Sequence, residues 1–406
     1  MVKKKILLLE GIHPGAKTRL ESYGFYVELD AASLADRDLS ARAKGFQAVG
    51  VRSKTQITEE ILSALPHLEV VGCFCIGTDQ VALDFANSKG IPVFNAPYSN
   101  TRSVAELVLC EMVALSRRLT DRCQQMHKGV WLKSATGANE VRGKTLGIVG
   151  YGHIGSQLSV MAEAIGIKVI YFDIVKKLPL GNARACESLH DCLSRADFIS
   201  LHVPDTALTQ GLIGVRELSA MKKGSYLINA SRGKVVDLHA LAQVLREKKL
   251  EGAAIDVFPE EPASNKERFT SEIQELENVI LTPHIGGSTE EAQEAIGQEV
   301  AESFMRYFFS GATSGAMNFP QLDVAMPGEF PRILNIHHNV PGVLSEVNSI
   351  ISTLKGNIVG QHLSTDSHIG YLIMDVGIND PAEAARCIGA LKTSIRTRYV
   401  LTSSPV

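Results

Sequence analysis

Leu146-Gly147-Ile148-Val149-Gly150-Tyr151-Gly152-His153-Ile154-Gly155 is the stretch whose reading decides the fold. An apolar run enters a turn spaced GxGxxG, and a helical pattern, Ile154 to Ile165, leaves it. Gly166 ends that pattern, a second apolar run covers Lys168 to Phe172, and Asp173 closes it. Strand, glycine turn, helix and a second strand ending in an acid make up the dinucleotide-binding unit of a Rossmann domain. The acid stands 18 residues past the last glycine. A Rossmann domain ordinarily opens with this unit, yet about 140 residues precede it here. The nucleotide domain is therefore expected to be preceded by another domain or inserted in one.

On both sides of the fingerprint the chain alternates strands with helices. Downstream of about residue 98, six strands are expected: Leu146–Val149, Lys168–Phe172, Phe198–Leu201, Tyr226–Asn229, Gly252–Ile255 and Val279–Leu281. Each after the first is followed by a polar residue or loop: Asp173, His202-Val203-Pro204, Ala230-Ser231-Arg232-Gly233, Asp256 and Thr282-Pro283-His284. Ligands of parallel α/β sheets bind beyond the carboxyl ends of the strands, so these motifs should meet in one crevice. Residues 1–97 carry a second series, with strands at Ile6–Leu9, Tyr26–Leu29, Ala48–Val51, Val70–Cys73 and Pro92–Phe94. This implies another parallel sheet covered on both faces. A long helix, Thr289 to Phe309, and a linker with some strand, Ser310 to Pro331, lead to a tail of different rhythm. The tail reads strand, helix, two strands, helix, strand, the ferredoxin-like βαββαβ unit, and is expected to form a compact domain of its own.

Composition narrows the function. The 406 residues exceed one hydrophobic core. Net charge is −3, from 41 basic and 44 acidic residues, without a long basic run, which excludes a nucleic-acid binder. No apolar stretch reaches the ~18–20 residues of a membrane span. Seven scattered cysteines offer no metal-ligand spacing, so reduced thiols, a reducing cytoplasmic compartment and no metal are expected.

Several side chains could do chemistry. Asp173 can accept hydrogen bonds from the adenine-ribose hydroxyls and repel a 2′-phosphate, which favours NAD over NADP. Arg232, on a strand-to-helix turn beside Gly233, can hold a carboxylate bidentately, although a surface ion pair is an equal reading on spacing alone. His284 ends the last strand and supplies an imidazole base for hydride transfer from a secondary alcohol. Glu260 or Glu261, before Pro262, can orient that imidazole, and residue chemistry does not choose between them. Arg52, Ser53, Lys54, Asn100, Thr101, Arg102 and Lys133 are cations and donors expected on loops, suited to a substrate with more than one negative group.

These motifs together resemble the D-isomer-specific 2-hydroxyacid dehydrogenase family. The resemblance is carried by the fingerprint, Asn95-Ala96-Pro97 with Asn100 to Glu106, Asn229-Ala230-Ser231-Arg232-Gly233, Asp256 to Pro262, and Thr282-Pro283-His284-Ile285-Gly286-Gly287. It implies a flavodoxin-like substrate domain, 1–97 with 289–325, into which a Rossmann NAD domain, 98–288, is inserted. Cys73 to Thr78, Arg142-Gly143-Lys144 and Lys177 to Asn182 resemble the branch that oxidises 3-phospho-D-glycerate to 3-phosphohydroxypyruvate. In that branch the tail, 332–406, resembles an ACT domain, a small amino-acid sensor.

The resemblance implies catalytic roles for Arg232, Glu261 and His284. It implies NAD contacts at Gly150, Gly152, His153, Ile154, Gly155, Asp173, His202, Val203, Pro204, Ala230, Ser231, Arg232, Asp256 and His284 to Gly287. Arg52, Ser53, Asn100, Lys133 and Arg232 match substrate positions, and His337, Asn339 and Asn357 match an L-serine effector site between paired ACT domains. Gly328-Glu329-Phe330-Pro331-Arg332 stands where relatives carry a Gly-Gly hinge. The resemblance further implies a homo-oligomer, a dimer or tetramer, and a 2-oxoglutarate reductase side activity. Two alternatives stand beside it: another D-2-hydroxyacid dehydrogenase, or a non-catalytic NADH-sensing protein.

Overall fold

Among the described residues the central parallel strands are short, apolar and buried, as their sequences demand, whereas Arg184–Ala185 is a two-residue exposed edge. The computed structural model describes residues 3–34, 36–262 and 267–401. The last residues expected in the C-terminal domain, 402–406, lie outside the described residues, as do residues 1 and 2. The chain divides into two compact units, residues 1–99 with 293–406, and residues 100–292.

In the first unit, strands Lys5–Leu8 (β1), Tyr26–Leu29 (β2), Ala48–Val51 (β3), Val70–Cys73 (β4) and Val93–Phe94 (β5) form a parallel sheet of order β2-β1-β3-β4-β5. That is the flavodoxin-like order. Every residue of β3 and β4 is buried, as central parallel strands covered on both faces require. Helix Glu290–Ser310 lays Ile296, Val300, Phe304 and Tyr307 onto this sheet. Gly72 on β4 makes room for it, since a Cβ there would stand 2.7 Å from both Val300 and Phe304.

The second unit holds Thr145–Val149 (β6), Lys168–Phe172 (β7), Arg184–Ala185 (β8), Phe198–Leu201 (β9), Ser225–Asn229 (β10), Leu250–Ile255 (β11) and Val279–Leu281 (β12). All pair in parallel, in the order β12-β11-β10-β9-β6-β7-β8. This is the Rossmann order extended by a seventh strand, and the chain reverses direction across the sheet between β6 and β9. The expected count was six. The extra strand, β8, is two exposed residues at the edge and has no apolar run to betray it. Helix Thr101–Arg117 also corrects an expectation, because Thr101 and Arg102 begin this helix rather than lie in a loop.

The tail forms the antiparallel sheet β14-β15-β13-β16 from Arg332–His338 (β13), Asn357–Thr365 (β14), Ile369–Gly377 (β15) and Ser394–Val400 (β16). Strand alternation gives it two apolar faces. Ile333, Leu372, Met374 and Val376 pack under helices Val343–Thr353 and Pro381–Gly389. Leu334, Ile336, Tyr371 and Ile373 instead join Phe94, Tyr307 and Phe319 in the core of the first sheet. The tail therefore has a core of its own on one face and shares its other face with the first sheet. The connection 311–331 contains no named strand, only a bridge between Phe94 and Ala316.

Candidate active site

Parallel strands deliver their loops to one edge, and in the second unit that edge carries every motif of the expected crevice. At the end of β6, Gly150 adopts φ +92°, and a Cβ there would lie 2.2 Å from the His202 carbonyl oxygen. Gly155 is equally obligatory, because its Cβ would lie 2.3 Å from the Gly150 carbonyl oxygen. Gly152 differs: nothing lies within 4 Å of a Cβ built there. No protein atom requires that glycine, whereas a pyrophosphate approaching the backbone would. Gly152 is also the N-cap of helix His153–Ala164 and makes no side-chain cap, so the first N–H groups point outward for an anion. The residues present thus fit a dinucleotide.

Asp173 ends β7 as expected, and its carboxylate accepts from the Tyr151 N–H and the Val175 N–H, both at 2.8 Å. It therefore shapes the glycine turn. His202 follows β9 with its Nε2 2.8 Å from Ser200 Oγ. Burial pushes the His202 imidazole down to about 4, so it is neutral at physiological pH.

The turn after β10 is tied by Asn229, which is 1% exposed. Its Oδ1 accepts from the Ser231 N–H at 3.1 Å and hydroxyl at 2.8 Å, and its Nδ2 donates to the Arg232 carbonyl at 3.0 Å. Gly233 then presses on the next loop, since a Cβ there would lie 2.0 Å from the Phe258 carbonyl carbon. These contacts bring Arg232 to the loop that carries Glu261. Asn229 was legible as part of a motif, but its role as the tie was not.

His284 is the centre of the arrangement. Its Nδ1 lies 2.9 Å and 3.0 Å from the two oxygens of Glu261, and Glu261 Oε1 also accepts from the Phe258 N–H at 3.2 Å. The choice between Glu260 and Glu261 is thereby made on geometry. The Glu261 hydrogen bond raises the His284 pKa against the opposing effect of burial. Burial works against ionisation of Glu261, but its bond to His284 outweighs this and holds the carboxyl below its ordinary range. The Arg232 guanidinium is near enough to lower both.

His284 adopts φ +55°, a conformation that L residues with a Cβ rarely take. Asp256, 1% exposed, imposes it. Its carbonyl accepts from the His284 N–H at 2.8 Å. Its carboxylate accepts from Thr282 Oγ1 at 2.6 Å and from the Ile285 and Gly286 N–H groups at 2.8 Å. Asp256 is thus the anchor of the His284 loop. Gly287 lies against Asn100, whose Nδ2 would stand 2.3 Å from a Cβ there.

Other expected residues lie outside these loops of the second sheet. Arg52 and Ser53 belong to the first unit, on a loop after β3 pinned by Glu10, whose carboxylate accepts from the Lys54 and Thr55 N–H groups at 3.1 and 2.7 Å. Gln80 pins the same loop through the Arg52 carbonyl. Lys133 is exposed in a stretch without helix or strand. In the tail, His337 is 3% exposed, with Nδ1 3.0 Å from Asn335 Oδ1. Asn339 donates to the Asp366 carbonyl at 2.7 Å. His337 pairs with Gly370 and Asn357 with Gly377, at opposite ends of β15, so one chain does not bring the three together. Among the described residues no three His, Cys, Asp or Glu side chains cluster as a metal site, and no helix is long and apolar enough to cross a membrane.

Comparisons with known proteins identify the family. The family model for the D-isomer specific 2-hydroxyacid dehydrogenase NAD binding domain matches residues 109–286. A D-3-phosphoglycerate dehydrogenase of Dictyostelium discoideum is 52% identical over 98% of this chain and 97% of its own. That of Escherichia coli K12 is 48% identical over 98% of each chain. Among solved structures, the D-lactate dehydrogenase of Aquifex aeolicus in complex with NAD and lactic acid superposes with a TM-score of 0.65 at 28% identity, covering 75% of this chain and 95% of that one. The chain belongs to the D-isomer-specific 2-hydroxyacid dehydrogenases, NAD-dependent oxidoreductases, and within them to the D-3-phosphoglycerate dehydrogenases.

Proposed function

We propose that the protein oxidises 3-phospho-D-glycerate at C2 to 3-phosphohydroxypyruvate, the first step of a phosphorylated route to L-serine. The observation that carries the chemistry is the His284–Glu261 pair beside Arg232. NAD⁺, when bound, supplies the hydride acceptor. With Nδ1 engaged by Glu261, Nε2 of His284 is the atom that takes the hydroxyl proton. Glu261 stabilises the imidazolium so formed, and Arg232 holds the C1 carboxylate. Gly150 to Gly155, Asp173, His202 to Pro204, Ala230, Ser231 and the loop from His284 to Gly287 line the cofactor's side of the site. Arg52, Ser53, Asn100 and Lys133 hold the substrate's anionic groups. The test is NADH oxidation with phosphohydroxypyruvate, together with kcat/KM for phosphoglycerate against glycerate. Equal values for the two acids would overturn the substrate. NADH binding without turnover would favour a sensor.

The tail is read as regulatory. Along β15 the seven residue steps from Gly370 to Gly377 span ~24 Å at ~3.4 Å each. Two-fold pairing of C-terminal domains is then what sets His337 and Asn339 beside Asn357 of a second copy, around L-serine. Arg332 replaces a flexible hinge with an anchor: it is 4% exposed, grips Asp375 at 2.7 and 2.8 Å, and donates to the carbonyls of Ser310 and Ala325. Serine inhibition should accordingly be weaker than in relatives with Gly-Gly. A rate unchanged by millimolar L-serine would reject the effector. Exposed Trp131, Val130, Leu132 and Leu119 support pairing of NAD domains, and paired tails would complete a tetramer. None of the seven cysteines, all among the described residues, is in a disulfide, which supports the cytoplasm as the compartment. Reduction of 2-oxoglutarate, a dianion of similar shape, belongs in the same assay.

A further inference from the structure

Within the first unit, a cavity of about 340 Å³ lies where the C-terminal sheet meets the flavodoxin-like sheet, far in sequence from every residue assigned to catalysis. Its wall includes Lys3, Lys4, His67, Glu69, Arg396 and Arg398. Four permanent cations thus face one carboxylate, and that carboxylate, Glu69, is already in a salt bridge with Lys4.

The two arginines are rigidly held. They alternate along β16, so both guanidinium groups project to the same side of the strand. Arg396 Nη1 donates to the Leu68 carbonyl at 2.6 Å. Arg398 donates to the carbonyls of Phe308 and Tyr307, at 3.0 and 2.5 Å, and its guanidinium lies 4.6 Å from the centre of the Tyr307 ring. Those carbonyls belong to the last turn of helix Glu290–Ser310, where a cation is favoured. Both guanidinium groups line the cavity and so present their charge to an occupant. A fixed guanidinium fork with ammonium groups opposite is the arrangement that recognises phosphate oxygens.

We propose that this cavity binds a dianionic phosphate group, which ties the C-terminal sheet to the flavodoxin-like sheet. The excess of cations needs an anion of more than one charge, and the volume admits a phosphate bearing a short carbon chain. Binding would favour the docked arrangement of the two sheets, because Lys3 and Lys4 come from one and Arg396 and Arg398 from the other.

The test titrates inorganic phosphate into the full chain by calorimetry, at ionic strength held constant with sodium chloride. Wild type is compared with Arg396→Gln, with Lys3→Gln and with Arg52→Gln. Lys3 is exposed and its change leaves the Leu68 bond intact, so it reads the cavity even where Arg396→Gln perturbs folding. The proposal expects a class of phosphate sites weakened at least tenfold in both cavity variants and retained in Arg52→Gln, with kcat in Lys3→Gln within twofold of wild type. Phosphate binding unchanged in both cavity variants, or abolished by Arg52→Gln alone, would overturn it. Repeating the titration with glycerol 2-phosphate assigns the source: tighter binding than inorganic phosphate points to an organic phosphate, equal binding to free phosphate.

Discussion

Replacing Glu111 by Gln should stabilise the protein increasingly as pH rises. Glu111 lies on helix Thr101–Arg117, which packs against β10, β11 and β12, and is 3% exposed. Neither carboxyl oxygen has a hydrogen-bond partner among the described residues. Burial, and secondarily the negative charge of Asp256, push its pKa from 4.5 to about 8. The unfolded chain ionises this group near 4.5 while the native chain keeps it protonated to about 8. Across that window the unfolded state binds fewer protons, so stability falls as pH rises. At ~1.4 kcal/mol per pK unit the native state carries a penalty of about 3 kcal/mol at pH 7, levelling near 5 kcal/mol above pH 8. Glutamine cannot ionise, and its unpartnered amide adds only a constant cost of ~1–3 kcal/mol. The diagnostic is therefore the slope. Urea denaturation of both proteins at several pH values should give a stability difference that grows by about 4 kcal/mol between pH 5 and pH 9 in favour of Glu111→Gln. A difference independent of pH would show that Glu111 is solvated or partnered in solution and refute the reasoning.

Three further outcomes are expected. Gly152→Ala should leave thermal stability within ~0.5 kcal/mol of wild type yet weaken NADH binding at least tenfold, whereas Gly150→Ala should fail to fold, because only the latter Cβ meets protein; equal stability losses would contradict this, as read by calorimetry and fluorescence titration. Because Glu261 raises the His284 pKa, the oxidation rate should climb with pH through a value above 6.5, and Glu261→Gln should move that limb to lower pH while reducing kcat; an unmoved profile would remove Glu261 from control of the imidazole. Asp173→Ala should raise the ratio of NADP to NAD use and soften the glycine turn by releasing the Tyr151 N–H, and an unchanged ratio in steady-state assays would place specificity elsewhere.

The local motifs were readable because their chemistry is local. A strand that ends in Gly150, a turn that holds Arg232 and a strand that delivers His284 are each written in a few consecutive residues. Period-2 and period-3.6 apolar patterns located most strands, and the helices from Ile154 and from Thr289, to within a residue or two, as with Tyr26–Leu29, Ala48–Val51 and Val70–Cys73. β8 escaped because two exposed residues at a sheet edge bear no pattern. Helix Thr101–Arg117 was read as loop at its start, where Asn100 makes no side-chain cap and polar residues precede the apolar face.

By itself, then, the sequence determined a split α/β chain with a dinucleotide fingerprint and a trio of catalytic candidates, since such motifs need only short-range order. Tertiary structure decided the rest. It selected Glu261 over Glu260, through a bond to His284 spanning 23 residues. It turned Asp256 into the anchor of a strained loop, and it buried Glu111 beneath that anchor's charge. It joined one face of the C-terminal sheet to the first core, and gathered Lys3 and Arg396 around one cavity. Burial and electrostatic neighbourhood are properties of residues distant in the chain, and no local pattern encodes which of them will meet.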